Sequence, residues 1–229
     1  SMAQVIMDDL DKTKKAYGRK RRTVIENVEE AVFEEKKMEE TEVCFLMDRF
    51  GYAKTMDKSI YERNKETAHG EYKYVFTCMN TDKICIFTDK GQMHTVKVMD
   101  LPLAKLRDKG TPIDNVSNYS SAQEQILFVA SMETVKNSVL LFVTKNSMVK
   151  QVPGSEFDVI KRTIASTKLA KDDELVLVGL SDAMDYVVLQ SKDGYFVLLH
   201  KHHDKDKFHF QRGCISIEDC LLEIVSHDD

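Results

Sequence analysis

The 229-residue chain contains no tryptophan, which removes the blade tryptophan expected of WD-type propellers. No apolar run reaches the roughly 18 residues that a membrane-spanning helix needs, and no signal peptide is recognisable. The expectation is a soluble, intracellular protein with no membrane partner. The five cysteines, Cys44, Cys78, Cys85, Cys214 and Cys220, form no Cys-x-x-Cys pair. Most lie in or beside apolar runs, so they read as reduced, buried thiols. An excess of positive charge is also missing: the formal net charge is −5, which counts against a uniformly basic nucleic-acid binder. There is no Gly-x-Ser-x-Gly, no phosphate loop and no His-Glu-x-x-His. Tyr52, Tyr72, Tyr74, Tyr186 and Tyr195 sit in or beside strand-like runs and read as half-buried strand residues. No catalytic residue and no cofactor are expected.

What the sequence does contain is one sentence written four times. "CFLMDRFGYAKTM" at 44, "ICIFTDKGQMHTV" at 84, "LLFVTKNSMVKQV" at 140 and "VVLQSKDGYFVLL" at 187 each place two apolar runs around a short polar turn. Gly51, Gly91, Ser147 and Gly194 fall at the same place in each copy. Each copy predicts a β-hairpin, because glycine takes positive φ without a Cβ clash. In the third copy Asn146 is the candidate for the left-handed position. A returning strand follows each hairpin: "EYKYVFTC" at 71, "EQILFVAS" at 124, "DELVLVGL" at 173 and "EDCLLEIV" at 218. The turn-to-turn spacings of 40, 56 and 47 residues indicate blades or solenoid coils that bury their apolar faces against one another.

Ahead of the repeats, "AQVIMDDLDKTKKA" at 3 to 16 is patterned as a helix with acids before bases, and Gly18 ends it. "YGRKRRTVIENV" follows, with Thr23 to Val28 strand-like, then the acidic stretch "EEAVFEEKKMEETE" from 29. The expected division is residues 1–41 as helix and acidic linker, the exit from a larger upstream domain, and residues 42–229 as one all-β domain.

The combination of helix, "YGRKRRT" at 17 to 23, "RFGYAKTM" at 49 to 56 and the third unit "VTKNSMVKQVPGSEFDVIKRTIASTKLAKDDELV" at 143 to 176 resembles the C-terminal domain of the A subunit of bacterial type IIA topoisomerases. The resemblance covers nearly the whole chain. It implies a β-pinwheel, a propeller-like ring of about four blades that exchange strands, around whose basic perimeter double-stranded DNA bends. It also implies that this stretch is not itself an enzyme. The cleavage tyrosine would lie upstream, within an ATP-dependent topoisomerase whose other parts are the ATPase subunit plus the rest of this one. The expected location is the cytoplasm, at the nucleoid. Gyrase carries a glutamine-, arginine- and glycine-rich box in its first connection. Here that connection reads "SIYERNKETAHGEYKY" at 59 to 74, with Arg63 and Lys65 set among Glu62, Glu66 and Glu71. The missing box and the four units place the resemblance nearer topoisomerase IV than gyrase, with the gyrase domain as the alternative within the family.

Basic residues recur in the connections: Lys54, Lys58, Arg63 and Lys65 in the first; Lys97, Lys105, Arg107 and Lys109 in the second; Lys150, Lys161, Arg162 and Lys168 in the third; Lys201, Lys205, Lys207 and Arg212 in the fourth. Read as phosphate contacts, they would hold a duplex without reading its bases. Read as ordinary solubilising charge, they would leave a propeller-like scaffold that binds protein through its loops. The run "HKHHDKDKFHF" at 200 to 210 concentrates histidines and carboxylates. It lacks tetrahedral ligand spacing and is expected to be a solvated fourth connection with no metal.

Overall fold

Contacts divide the chain into two units, Ser1–Met38 and Glu39–Asp229. The computed structural model describes residues 2–20, 23, 39–146, 148–183, 186–191, 196–202, 207–209 and 220–223. In the first unit, helix α1 (Met2–Tyr17) carries Lys14 and Lys15 in its last turn, where they complement the dipole, and buries none of its residues. The Gly18 N–H donates to Lys14 O at 2.8 Å and closes it. The strand-like stretch expected from Thr23 to Val28 and the acidic stretch from 29 lie, Thr23 apart, outside the described residues.

In the second unit, the first hairpin pairs β1 (Glu42–Met47) with β2 (Tyr52–Asp57), and β3 (Tyr74–Met79) returns along β1. Its connection folds into α2 (Lys58–Arg63) and α3 (Lys65–Glu71). The second unit of the repeat gives β4 (Lys83–Thr88), β5 (Gln92–Lys97), the short β6 (Thr111–Pro112) with α4 (Ile113–Val116), and the returning β7 (Ile126–Ser131). After α5 (Met132–Lys136), the third gives β8 (Val139–Thr144), β9 (Val149–Pro153), β10 (Thr163–Ala165) and β11 (Leu175–Leu180). The fourth gives β12 (Tyr186–Ser191), β13 (Phe196–His202), β14 (Lys207–His209) and β15 (Cys220–Glu223).

The sheet orders are β3-β1-β2-β6, β10-β5-β4-β7, β11-β8-β9 and β14-β13-β12-β15. The β6 strand leaves its own repeat to pair Thr111 with Ala53 of the first sheet, and β10 likewise pairs Thr163 with His94 of the second. Strands are therefore exchanged between neighbours, as the pinwheel expectation requires. The fourth connection differs. Its strand β14 folds back on β13 of its own sheet, pairing His200 with His209. The histidine run expected as a solvated loop is thus a ladder at both ends, with residues 203–206 outside the described set.

Alternation along the strands explains the packing, since successive side chains face opposite sides of a sheet. Val43, Phe45 and Met47 join Ile84, Ile86 and Val129 in a core between the first and second sheets. Cys85 and Phe87 join Leu140, Phe142 and Phe157 in a core between the second and third. The Phe87 ring lies 5.4 Å from Phe157 and 6.0 Å from Phe142. The second sheet is buried on both faces, which is why "ICIF" reads as an unbroken apolar run. On the far face of the first sheet, Cys44, Leu46 and Met56 pack on Tyr61 of α2 and Ala68 of α3. The first connection is thus a helical cap over a terminal sheet.

Gly51 and Gly91 take positive φ, +84° and +69°. Ser147 and the Gly194 turn lie outside the described residues. Asn146 does not take the left-handed position expected of it. Asp172, at φ +63°, is the non-glycine residue that does so among those described, and the Asn146 N–H is instead held by the Asp173 carboxylate at 3.1 Å.

Candidate nucleic-acid interface

The second and third connections share a plan. Each leaves its hairpin, buries an apolar side chain through a short 3-10 helix and its flank (Val98 and Leu101 in the second, Phe157 in the third), then runs along the preceding sheet. In the second connection Lys97, Lys105, Arg107 and Lys109 are all exposed. The backbone beneath them is fixed. Ala104 N–H donates to Thr55 O at 2.9 Å, Lys105 N–H to the Asp108 carboxylate at 2.8 Å, and Ile113 N–H to Gly51 O at 2.9 Å. Lys109 Nζ stands 4.2 Å over the Tyr52 ring, a cation–π contact that leaves its charge unneutralised.

In the third connection Lys161, Arg162 and Lys168 are exposed. Arg162 O accepts from Thr95 N–H at 2.8 Å, and Gly91 O accepts from Ser166 N–H at 2.8 Å. The chain passes so close to the second turn that a Cβ on Gly91 would stand 2.9 Å from Thr167 O. The structure brings Lys150 and Lys168 together on a cavity of about 220 Å³ floored by Phe142 and Leu169. Lys150 Nζ lies 5.8 Å from the Phe142 ring centroid.

The first connection is electrostatically different. Lys58 is ion-paired with Glu42, and that contact holds the Glu42 carboxyl below, and the Lys58 ammonium above, their ordinary values. Arg63 donates to Ser59 O at 3.1 Å. Lys65 is exposed beside Glu66 in the first turn of α3.

Lys54 does not belong to any surface band, which corrects its place among the phosphate-contact candidates. Its accessible surface is 0%, and Nζ donates to the carbonyls of Lys105, Leu106 and Asp108 at 2.8, 2.6 and 2.7 Å. In the fourth connection Lys201 and Lys207 lie on β13 and β14, while Lys205 and Arg212 fall outside the described residues.

Outside the connections, Lys90 pairs with Asp89 and Glu174 and Lys145 with Glu174 at turns, and Lys136 pairs with Glu133 at the end of α5, whereas Lys73 and Lys83 are in no ion pair among the described residues. Among the described residues, no ion pair includes Lys97, Lys105, Arg107, Lys109, Lys150, Lys161, Arg162 or Lys168. These cations of the second and third connections are therefore free to meet an external anion. Sequence reasoning missed Arg49, exposed at the first turn and stacked 4.7 Å over Phe50, because it sits in a turn rather than a connection. It also missed His94, buried in contact with Glu124 at 3.1 Å and Thr163 at 3.0 Å. Cys44, Cys78 and Cys85 are buried, and desolvation pushes each thiol up to about 12. They are neutral and unreactive at ordinary pH.

Residues 138–181, the third copy of the shared plan, match the family model described as DNA gyrase C-terminal domain, beta-propeller. The A subunit of DNA gyrase from Lawsonia intracellularis is 28% identical over 205 residues, covering 84% of this chain and 25% of that protein. The corresponding DNA gyrase polypeptide of Neisseria gonorrhoeae is 25% identical across 100% of this chain and 25% of its own length. The chain thus spans about a quarter of the curated relatives it matches. Among solved structures, the C-terminal domain of DNA topoisomerase IV superposes with a TM-score of 0.62 at 23% identity, over 71% of this chain and 53% of that one. The E. coli ParC C-terminal domain gives 0.56 at 12% identity, over 81% and 80%. These are likenesses to C-terminal domains of type IIA topoisomerase A subunits, and the solved structures among them share the fold. The sequence relatives carry the gyrase name and the structural neighbours the topoisomerase IV name.

Proposed function

We propose that the chain is a duplex-binding and bending module of a type IIA topoisomerase A subunit of the topoisomerase IV kind, with no base preference and no catalysis of its own. Residues 1–41 would join it to the upstream part of the same polypeptide. With that part and the ATPase subunit, it would present a distant DNA segment for passage. The observation that carries this reading is that the cations of the second and third connections stand exposed and unpaired on clamped backbone, whereas Lys90, Lys136 and Lys145 are neutralised by acids. Such cations displace condensed counterions from the duplex. Bending a few helical turns costs about 1–6 kcal/mol, offset by successive phosphate contacts.

Fluorescence anisotropy with two unrelated duplexes tests the reading. Affinities should agree within a few-fold and fall steeply with salt, and a salt-independent affinity, or none at low salt, sinks it. The topoisomerase IV assignment rests on the first connection, where Arg63 and Lys65 are interspersed with Glu62, Glu66 and Glu71 along two short helices rather than gathered in a dense basic box. Ligating nicked circular DNA in the presence of the protein should leave linking number almost unchanged. A strong stoichiometric shift would favour a gyrase-type wrap.

A further inference from the structure

We infer that Lys54 is a positioning residue for DNA binding: its buried ammonium sets the conformation of the loop 105–109 and so aims Lys105, Arg107 and Lys109 outward. The inference rests on the duplex-binding reading of that loop. An ammonium has three donors and no acceptor, and here all three are used, on the carbonyls of Lys105, Leu106 and Asp108. Three carbonyls converging on one point repel one another unless a cation sits between them. With the cation in place, the loop's polar backbone faces inward and its charged side chains are left outside. The Tyr72 ring covers Nζ at 4.8 Å, and its hydroxyl donates to Leu106 O at 2.8 Å, so two side chains from the first sheet and its flank grip the same turn. Lys54 itself is fully buried and reaches no external phosphate.

Backbone anchors explain why the residue matters for binding and not only for stability. Phosphate contacts repay their ordering cost best when the cations are already held in place. The loop's other ties to the first sheet lie at its ends, where Ala104 N–H donates to Thr55 O, Lys109 stands over Tyr52 and β6 pairs over Thr111–Pro112, which leaves its middle to Lys54 and Tyr72.

The test is a mutant cycle read by anisotropy against a duplex at several salt concentrations, with amide exchange of residues 105–110 as a second readout. Lys54→Met keeps the length of the side chain and removes the donors. It should weaken binding at least about three-fold and lower the salt slope by about 1. It should also speed exchange in the loop. In a background with Lys105, Arg107 and Lys109 replaced by alanine, Lys54→Met should cost nothing further. If its effect multiplies with theirs, or if binding is unchanged, the inference is wrong. Lys54→Met also removes a charge, so Tyr72→Phe supplies a charge-neutral arm that loosens the same turn. It should show a smaller loss of the same non-additive kind, and it serves as the test should Lys54→Met fail to fold. If the unaltered protein binds no duplex, the functional reading fails, and unchanged loop exchange in both variants would separately overturn the role given to Lys54.

Discussion

Three residues after the turn glycine, the first repeat has Lys54 and the second has His94, and both are buried where the next repeat's connection crosses. The two junctions solve the same problem differently. Lys54 grips only backbone carbonyls, so the loop above it can carry any side chains, and it carries three exposed cations. His94 grips side chains: Thr163 on the donated strand at 3.0 Å, and Glu124, which also accepts from Thr88 at 2.6 Å. The first junction has a ladder of two donated residues and the second a ladder of three. Where pairing is shorter, an ammonium takes over the holding. Register, rather than residue type, is what the repeats share.

Breaking the first clasp should have the larger effect. Lys54→Met strands several inward-facing carbonyls, each costing about 1–3 kcal/mol if water cannot reach it, so a loss of about 3 kcal/mol is expected in denaturant titrations. His94→Gln should cost only about 1 kcal/mol, because Thr163 keeps Asn118 as a partner at 3.0 Å and Glu124 keeps Thr88. Equal losses would mean that the two positions are not doing different work.

The turns sharpen the comparison at a smaller scale. An alanine at either Gly51 or Gly91 must adopt positive φ, at about 1–2 kcal/mol. At Gly91 the new methyl would also press on Thr167 O at 2.9 Å, whereas at Gly51 its neighbour is Ile113 at an ordinary 3.7 Å. Gly91→Ala should therefore be the more destabilising, and a reversed order would contradict the close passage of the third connection.

At neutral pH the cysteines give the smallest effects. Burial holds Cys44, Cys78, Cys85 and Tyr74 up to about 12 in the folded chain, above the ordinary thiol and phenol values. Their protons leave more readily from the unfolded chain. The stability they confer is complete below the unfolded values and lost as pH rises from about 9 towards 12. Urea midpoints should fall over that range. Cys78 lies in the core between the first two sheets and Cys85 in the next. Both should resist alkylation at neutral pH, and Lys54→Met should expose Cys78 before Cys85.

The hairpins and the returning strands were legible because apolar runs, turn residues and an approximate period carry them, whereas the exchange of strands between neighbours was expected from the family resemblance alone. Lys54 was not. In a strand buried on both faces, burial no longer alternates, so a lysine there reads as a surface charge. Its one signal was the shared register with His94. The helical cap of the first connection was signalled only by the seven-residue spacing of Tyr61 and Ala68. The ladder within the histidine run was hidden by its polar composition, since its pairing is through backbone.

The central claim is that the connection cations bind the duplex because they are unpaired, not because they are positive. Two triple variants with the same change in charge test it most directly by anisotropy at several salt concentrations: Lys161, Arg162 and Lys168 to alanine in the third connection, against the ion-paired Lys90, Lys136 and Lys145 to alanine. The first should lower affinity markedly and reduce the salt slope by up to about 3, and the second should leave both nearly unchanged. Equal losses from the two would contradict the account and reduce the binding to nonspecific attraction.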